Sequence, residues 1–183
     1  IVVIWESLLQ MSHTPMLPIS STLAMDFPSS TRPFSPNMRL RPVIGFILDA
    51  LGMNASARKP SDPSIAGAAI AAINGPQTTV VSGTAEAVEA VVATLAQQKI
   101  RSRRLAVAQG AHSPLIDGVL DEFEAVAATV NFHEPQIALV SSLYGRMVQP
   151  GEVTNAGYWR RHLRQPVRFA DAMAALYADG NDV

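Results

Sequence analysis

The sequence contains no cysteine, which excludes disulfides, thiolate metal sites and a cysteine nucleophile. Charged residues are sparse, at 16% of 183 residues, and the net charge of -1 gives no general attraction to nucleic acid or to an anionic membrane. No apolar run reaches the ~18 residues needed to span a bilayer. These absences predict a cytoplasmic protein that acts on small molecules or proteins, with no nucleic acid, membrane or metal among its partners.

Proline, in contrast, is abundant and unevenly distributed. Eight of the 13 prolines precede residue 64, and serine and threonine crowd the same region. Because proline blocks helix interiors and removes a backbone donor, residues 11–42 cannot hold a long regular element. Val43–Leu51 is the one run there that fits a buried strand or short helix. We therefore separate residues 1–64 as a Pro/Ser-rich segment for which no ordinary fold is predicted.

Regular patterning begins at Ile65. An apolar run to Ile73, a break at Asn74-Gly75-Pro76 and a β-branched run at Thr78–Val81 predict two strands and a turn. Thr84 fits a helix N-cap, and apolar residues then recur at helical spacing down to Lys99. Residues 101–107 predict one more strand. The order β-β-α-β is typical of the latter part of a ferredoxin-like lobe, whose first strand and helix are not obvious in the sequence.

His112 stands where the next helix is predicted to begin. Ser113 fits the N-cap, Pro114 fits the first helical position, and the apolar pattern predicts a helix to about Val130. The residues predicted on one face of this helix are Ile116, Val119, Leu120, Phe123 and Val126. A helix N-terminus disfavours a protonated imidazole, so His112 suits a general base. A histidine that merely caps or packs at a helix start fits the same residues.

The remaining pattern predicts a short buried strand at Gln136–Ser141, a helix over residues 154–163 and a last helix before Gly180. Phe169, Met173 and Leu176 mark that last helix. Strands that alternate with helices favour an α/β layer, on which the 65–107 piece is an insertion.

Several short motifs follow one another in a fixed order. They are Ile70–Gly83, His112-Ser113-Pro114-Leu115, Leu120-Asp121-Glu122-Phe123, Gly145-Arg146 and Tyr158–Asp171. Each alone is a weak signal, but their order and spacing together resemble the acyltransferase domain of modular type I polyketide synthases. The resemblance covers about residues 65–180. It implies an α/β fold, with a ferredoxin-like small lobe at 65–107 and a fragment of an α/β hydrolase-like large lobe at 108–183.

The resemblance also implies a reaction. In this family a serine attacks the thioester of a malonyl-type acyl-CoA, a histidine takes its proton, and the acyl group passes to the phosphopantetheine thiol of an acyl carrier protein. The covalent ester divides one difficult transfer into two easier steps. The implied partners are acyl-CoA, the carrier protein, and the ketosynthase and other domains of the synthase; no bound cofactor is implied.

Site residues follow from motif positions. His112 matches the family's base, and the backbone carbonyl of His162 matches the group that orients the base's second ring nitrogen. Asn74 matches a residue near the substrate channel, although a turn-former before Gly-Pro explains it equally well. Gln109-Gly110-Ala111 occupies the positions that distinguish extender units and matches neither His-Ala-Phe nor Tyr-Ala-Ser. Because alanine leaves space beside the acyl α-carbon, Ala111 favours an α-substituted extender.

Seven arginines have two interpretations. They fit contacts with CoA phosphates or an acidic carrier protein, and they fit a solvated charged face. They are Arg101, Arg103, Arg104, Arg160, Arg161, Arg164 and Arg168.

Two motifs of the family are not found before Ile65: the nucleophile motif Gly-His-Ser-x-Gly, and the arginine that pairs with the extender's carboxylate. Gly52–Ser56 comes nearest to the first but lacks its closing glycine. The family continues beyond residue 183, so the chain resembles a domain cut at both ends, and we expect no acyl transfer from it alone.

Two alternatives stay open. One is a freestanding malonyl-CoA:acyl-carrier-protein transacylase of fatty acid synthesis, although Tyr158–Asp171 is more like the polyketide version. The other is a non-catalytic ferredoxin-like binding module, in which residues 65–107 are the functional unit and His112 is only a cap.

Overall fold

The computed structural model describes residues 2–5, 65–107 and 110–180. The run Val43–Leu51 lies outside these residues. The described strands are β1 (Val2–Trp5), β2 (Ala68–Gly75), β3 (Thr78–Gly83), β4 (Arg101–Arg104), β5 (Val140–Ser141) and β6 (Arg146–Met147). The described helices are α1 (Ala85–Gln97), α2 (Leu120–Ala127), α3 (Ala156–Arg164) and α4 (Phe169–Ala178), with a 3₁₀ helix at Pro114–Val119 before α2.

The first four strands form one antiparallel sheet in the order β2-β3-β1-β4. β1 lies between β3 and β4, and Val3 pairs with Val80 on one side and Arg103 on the other. The strand that is not obvious in the sequence is therefore Val2–Trp5, within the proline-rich segment. The predicted strand at 101–107 ends early, at Arg104, because its pairing with β1 ends at Val2.

The hairpin and helix predicted from Ile65 onward are confirmed. β2 runs through Asn74 to Gly75, so the turn begins at Pro76, two residues later than the Asn-Gly-Pro break indicates. Thr84 caps α1 by accepting a hydrogen bond from the Ala87 amide at 3.2 Å. Lys99, at φ 58°, ends the helix in the left-handed conformation.

The core lies between the sheet and α1. Val81 and Leu95 are almost fully buried, and β-branched and alanine side chains fill the space between them. The buried members of this cluster are Ile65, Ala68, Ile70, Val81, Ala87, Val88, Val91 and Leu95. Burial of a valine, leucine or isoleucine side chain contributes roughly 1.5–3 kcal/mol, so this layer holds the first half of the described structure together.

The helix after His112 differs from its prediction. Its first turns are 3₁₀ rather than α, and α2 ends at Ala127 rather than near Val130. Bonds between residues three apart close its end, from the Thr129 amide to the Val126 carbonyl and from the Val130 amide to the Ala127 carbonyl. Leu120 is buried, but the rest of the predicted apolar face is largely exposed.

The predicted buried strand at Gln136–Ser141 is wrong except for its last two residues. β5 contains only Val140 and Ser141, and its partner β6 is equally short. Ile137 is 82% exposed, so its apolar character is not used for packing among the described residues.

The last helices are joined to the first sheet by main-chain hydrogen bonds. Val167, between α3 and α4, forms a parallel bridge with Ala72 of the outer strand β2. The Ile73 amide donates to the Val167 carbonyl at 2.8 Å, and the Val167 amide donates to the Ala71 carbonyl at 2.9 Å. The helices predicted at 154–163 and before Gly180 are confirmed as α3 and α4.

Candidate functional site

His112 has an unusual backbone conformation. Its φ is 57°, in the left-handed region that residues other than glycine adopt in only a few per cent of cases, asparagine, aspartate and histidine more often than the rest. Its Nδ1 atom is buried and has no hydrogen-bond partner among the described residues. Such a conformation costs about 1–3 kcal/mol and is found most often at functional sites. The backbone thus holds this imidazole in place at a cost in stability.

Ser113 fixes the loop that carries His112. Its side chain is fully buried, and its hydroxyl donates to the Gly110 carbonyl at 2.6 Å. The same oxygen accepts from the Leu115 amide at 3.3 Å, as expected for an N-cap, and Pro114 occupies the first helical turn. Ser113 is therefore a cap rather than a free hydroxyl, as its sequence position predicts.

His162 lies on α3. Its Nε2 is 3.1 Å from the Ser142 hydroxyl oxygen, and its ring packs against the rings of Tyr158 and Trp159, with centroids 5.8 and 5.7 Å apart. The imidazole of His162 is partly buried by this aromatic cluster. This burial lowers its pKa, and the charge of His112 lowers it further.

The lowered pKa of His162 predicts a pH dependence. In the folded protein the imidazole binds a proton less readily than in the unfolded chain, where its pKa is 6.5. The free energy of unfolding should therefore decrease as the pH falls below that value toward the folded pKa. Urea denaturation at about pH 7.5 and about pH 5.5 measures this decrease, and His162→Gln should make it smaller. An identical decrease in wild type and variant would contradict the assignment.

The backbone carbonyl of His162 has no helical donor four residues on. That position is Pro166, which lacks an amide hydrogen, and the last α3 bond runs from the Gln165 amide to the Arg161 carbonyl. The sequence thus leaves the His162 carbonyl outside the regular i+4 pattern.

The other predicted site residues are spread more widely. Asn74 is exposed at the end of β2, next to the hairpin turn. Gly110 and Ala111 are half-buried in the loop before His112, whereas Gln109 lies outside the described residues. A Cβ on Gly110 would overlap the Leu115 side chain, so the loop and the 3₁₀ helix are in close contact.

Most of the arginines bind acidic groups of the same chain. Arg160 contacts Asp121 and Glu124 on α2 at 2.5 and 2.9 Å, which raises the pKa of its guanidinium, and Arg164 contacts Asp117 at 2.5 Å. These pairs join α3 to the helical segment that follows His112. Such pairs are worth ~0–1 kcal/mol each when exposed, so their main effect is on orientation.

Of the remaining arginines, three contact side chains of the same chain and, within the described residues, two do not. Arg104 pairs with Glu89, Arg168 with Asp171, and Arg161 donates to the Tyr144 hydroxyl at 3.0 Å. Arg101 and Arg103 are exposed on β4 and form no ion pair with a described residue.

A cleft of about 540 Å³ opens between the start of α1 and the chain after β4. Thr84 and Val88 line one side, Leu105 and Val107 the other, and Gly110 and Leu115 close one end. His112 is not among its lining residues, so this cleft does not identify the catalytic centre. No group of three or more metal-ligating side chains occurs in the described ranges, and none of the helices there is long and apolar enough to cross a membrane.

The structure adds contacts that the motifs do not indicate. Ser141 is buried, and its oxygen accepts from the Leu143 and Tyr144 amides at 3.2 Å and lies 2.8 Å from the Tyr158 hydroxyl oxygen. Ser142 holds His162. The sequence shows only two adjacent serines and does not indicate that they form different contacts.

Comparison with known proteins places the chain among acyltransferases. The family model described as acyl transferase domain matches residues 49–183. Polyketide synthase GfsA from Streptomyces halstedii is 45% identical over 111 residues, which are 61% of this chain and 2% of that protein. The phenolphthiocerol synthesis polyketide synthase type I Pks15/1 from Mycobacterium marinum is 46% identical over 115 residues, 62% of this chain and 6% of that protein.

A solved structure gives the same result. The acyltransferase domain from the second module of the salinomycin polyketide synthase is 33% identical with a TM-score of 0.65, over 76% of this chain and 30% of that one. The chain thus spans only a small part of the proteins that it matches.

Proposed function

The chain belongs to the acyl transferase domain family, and from this premise we propose that it is the histidine-bearing part of a polyketide synthase acyltransferase domain. The domain transfers malonyl or substituted malonyl groups from CoA to the phosphopantetheine thiol of an acyl carrier protein. The identity of 45–46% to the polyketide synthases GfsA and Pks15/1 supports this over a freestanding transacylase.

We further propose that the chain forms two lobes. The antiparallel order β2-β3-β1-β4, with α1 connecting β3 to β4, supports a ferredoxin-like small lobe. Residues 65–107 supply most of it, and β1 supplies the inner strand. Residues 108–183 then form the C-terminal part of an α/β hydrolase-like large lobe.

His112 is the general base in this proposal. The observation that carries the assignment is its strained backbone, at φ 57°, together with a buried Nδ1 that no described residue satisfies. A buried polar nitrogen without a partner costs about 1–3 kcal/mol. Strained and unsatisfied groups are found most often at functional sites. In this family the corresponding histidine accepts a proton from a serine hydroxyl.

The His162 carbonyl is the group that orients His112. Pro166 leaves this carbonyl without an i+4 donor, and the charge of His112 contributes to the lowered pKa of His162. A hydrogen bond from Nδ1 to this carbonyl would satisfy the buried nitrogen and leave Nε2 to accept the proton.

Substrate contacts are assigned to the loop before His112. Gln109, Gly110 and Ala111 lie beside the acyl group, and Asn74 lies near the entrance. No resident cofactor or metal takes part, since CoA and phosphopantetheine arrive with the acyl donor and the carrier protein. Arg101 and Arg103 are the exposed cations for the carrier protein or CoA phosphates. The other partners are the ketosynthase and further domains of the synthase.

One prediction concerns the isolated chain, which should not form an acyl-enzyme. Mixed with malonyl-CoA or methylmalonyl-CoA, it should release no burst of CoA and gain no mass, because no Gly-His-Ser-x-Gly serine stands before Ile65. A serine-directed fluorophosphonate should likewise leave it unlabelled. Stoichiometric labelling, mapped by mass spectrometry, would show that another serine serves as the nucleophile.

Activity can be tested in a hybrid domain. In it, residues 65–183 of this chain replace the corresponding residues of a related acyltransferase domain that carries the serine motif. Transfer of an acyl group to a carrier protein, followed by mass spectrometry, supports the proposal. A folded hybrid that binds acyl-CoA but never transfers it would favour the non-catalytic binding module.

Another prediction concerns the extender unit. In the hybrid domain, Ala111→Phe should increase the preference for malonyl-CoA over methylmalonyl-CoA, because a phenyl ring fills space beside the acyl α-carbon. One methyl group in an apolar pocket is worth ~1–3 kcal/mol, or roughly 10–200-fold in kcat/KM. Ala125→Phe on the exposed side of α2 is the matched control. Equal selectivity in the unchanged hybrid domain and both variants would show that residue 111 does not determine the choice of extender unit.

A further inference from the structure

The part of the chain after His112 leaves most of its large apolar side chains exposed. Of the large hydrophobic side chains that are exposed in the described residues, all but Val107 lie beyond residue 110. Among the described residues of that part, only Leu120, Val153 and Tyr158 are large, hydrophobic and buried. This part therefore has little core of its own. We propose that an apolar face of α2 is the surface through which it docks onto the rest of an acyltransferase domain. The proposal deepens the proposed function and rests on its assignment of the chain to such a domain.

The face consists of four apolar side chains at helical spacing. Each is 37–63% exposed, and their separations of three or four residues place them on one side of α2 and its flanking turns. They are Val119, Phe123, Val126 and Val130, and we call them the outer face of α2.

The other side of α2 is already occupied by α3. Arg160 of α3 binds Asp121 and Glu124 of α2, so these two carboxylates mark the side that meets α3. At 3.6 residues per turn, every member of the outer face lies at least about 100° around the helix from both carboxylate positions. The exposure of the outer face agrees with this geometry, because α3 does not reach it.

The size of the outer face argues for the rest of the domain rather than for a second copy of the chain. A stable interface between two copies buries about 800 Å² from each, and four side chains that are each about half exposed provide less than half of that. A helix within a domain, in contrast, buries such a stripe against a sheet or another helix. The solved salinomycin acyltransferase domain is matched over only 30% of its length, so the family has further protein to cover the stripe.

A second apolar segment of the same part supports this conclusion. Ile137 and Leu139 alternate along the residues that lead into β5, and they are 82% and 41% exposed. Such alternation is typical of a strand with one buried face. Among the described residues, however, β5 pairs only through Val140 and Ser141. A further strand from the same domain would pair with this segment and cover its side chains.

Because the chain contains no cysteine, a single introduced thiol can test the outer face. Val126→Cys places the thiol on it, and Ala125→Cys places it on the adjacent exposed position outside it. In the full chain alone, a maleimide should modify the two thiols at rates within about threefold of each other. In the hybrid domain, the thiol from Val126→Cys should react at least about tenfold more slowly, and that from Ala125→Cys within about threefold of its earlier rate. Peptide mass spectrometry separates these thiols from others in the hybrid.

Val126→Lys tests the same contact through stability. In the full chain alone it should shift the urea midpoint by less than about 0.3 M, as expected for a surface change, because Val126 is 63% exposed. In the hybrid domain it should lower the Tm by roughly 4–8 °C, since the ammonium group would be buried at the contact. Val126→Ile keeps the apolar character and should leave both values close to those of the unchanged proteins.

The outcomes distinguish the docking face from the proposed function. If the thiol from Val126→Cys reacts as quickly in a hybrid that transfers acyl groups as in the chain alone, the docking face is overturned and the proposed function stands. Protection in a folded hybrid that transfers no acyl group supports the docking face and contradicts the proposed function. Equal slowing of both thiols would place the contact on another side of α2 and overturn the assignment.

Other occupants of the outer face would be detected in the chain alone. Slow labelling there would overturn the proposal: if it becomes slower as the protein concentration rises, a second copy covers the face, and if it is independent of concentration, another segment of the chain does. A hybrid domain that does not fold would also count against the proposal, because the surfaces of the two parts would then not match.

Discussion

His112→Asn should lower acyl transfer by the hybrid domain on the order of 10²–10⁴-fold, the usual contribution of a general base. Asparagine tolerates the left-handed backbone that His112 adopts at φ 57°, so the fold should survive while the proton acceptor is lost. Stopped-flow measurement of CoA release separates the acylation step from the transfer to the carrier protein. The loss should appear in acylation.

The matched control is His133→Asn, the same exchange at an exposed histidine between α2 and β5. It should leave both steps within about twofold, as expected for a surface change worth less than 0.5 kcal/mol. A loss of less than tenfold for His112→Asn, with the fold intact, would show that another group accepts the proton.

Gly83→Ala should destabilise the chain by about 1–3 kcal/mol, or more if the backbone cannot shift. A Cβ at Gly83 would overlap the Gly67 carbonyl oxygen and lie 2.7 Å from the Ala68 Cα, and both contacts are with backbone. The clash falls where the amide of the N-cap Thr84 donates to the Gly67 carbonyl at 3.2 Å. Urea denaturation followed by circular dichroism measures the loss.

Gly118→Ala is the comparison, because a Cβ there meets no atom within 4 Å. In the 3₁₀ helix it should be neutral or slightly stabilising, since alanine has the better helical propensity. Equal stability of the two variants would mean that β3 and the start of β2 separate easily enough to admit a methyl group.

The sequence predicts the first half of the described structure well, because local and tertiary signals agree there. Thr84 is a preferred N-cap residue type, and it forms the capping hydrogen bond in the structure. The β-branched residues Thr79 to Val81 likewise lie in a buried strand, as their type predicts. The sequence does not reveal β1, since four apolar residues that a proline-rich stretch separates from their partners carry no pairing information. Pairing between distant segments is decided by packing rather than by local preference.

The candidate site is predicted less completely. Motif order leads to the family, which the comparisons confirm, and to His112, whose role stays a prediction. The role of Ser142 is absent from any motif, because a serine that binds a histidine 20 residues later has no local pattern. Ile137 shows the opposite error: apolar residues predict a buried strand, yet without a longer partner they stay exposed.

The bridge between Val167 and Ala72 has a practical consequence for recombining synthases. Its two hydrogen bonds use only peptide groups, so many side chains are compatible with it, while one inserted or deleted residue would break its register. Crossover points for chimeric assembly lines should therefore lie outside residues 71–73 and 166–168, and donor segments should match in length there before they match in composition.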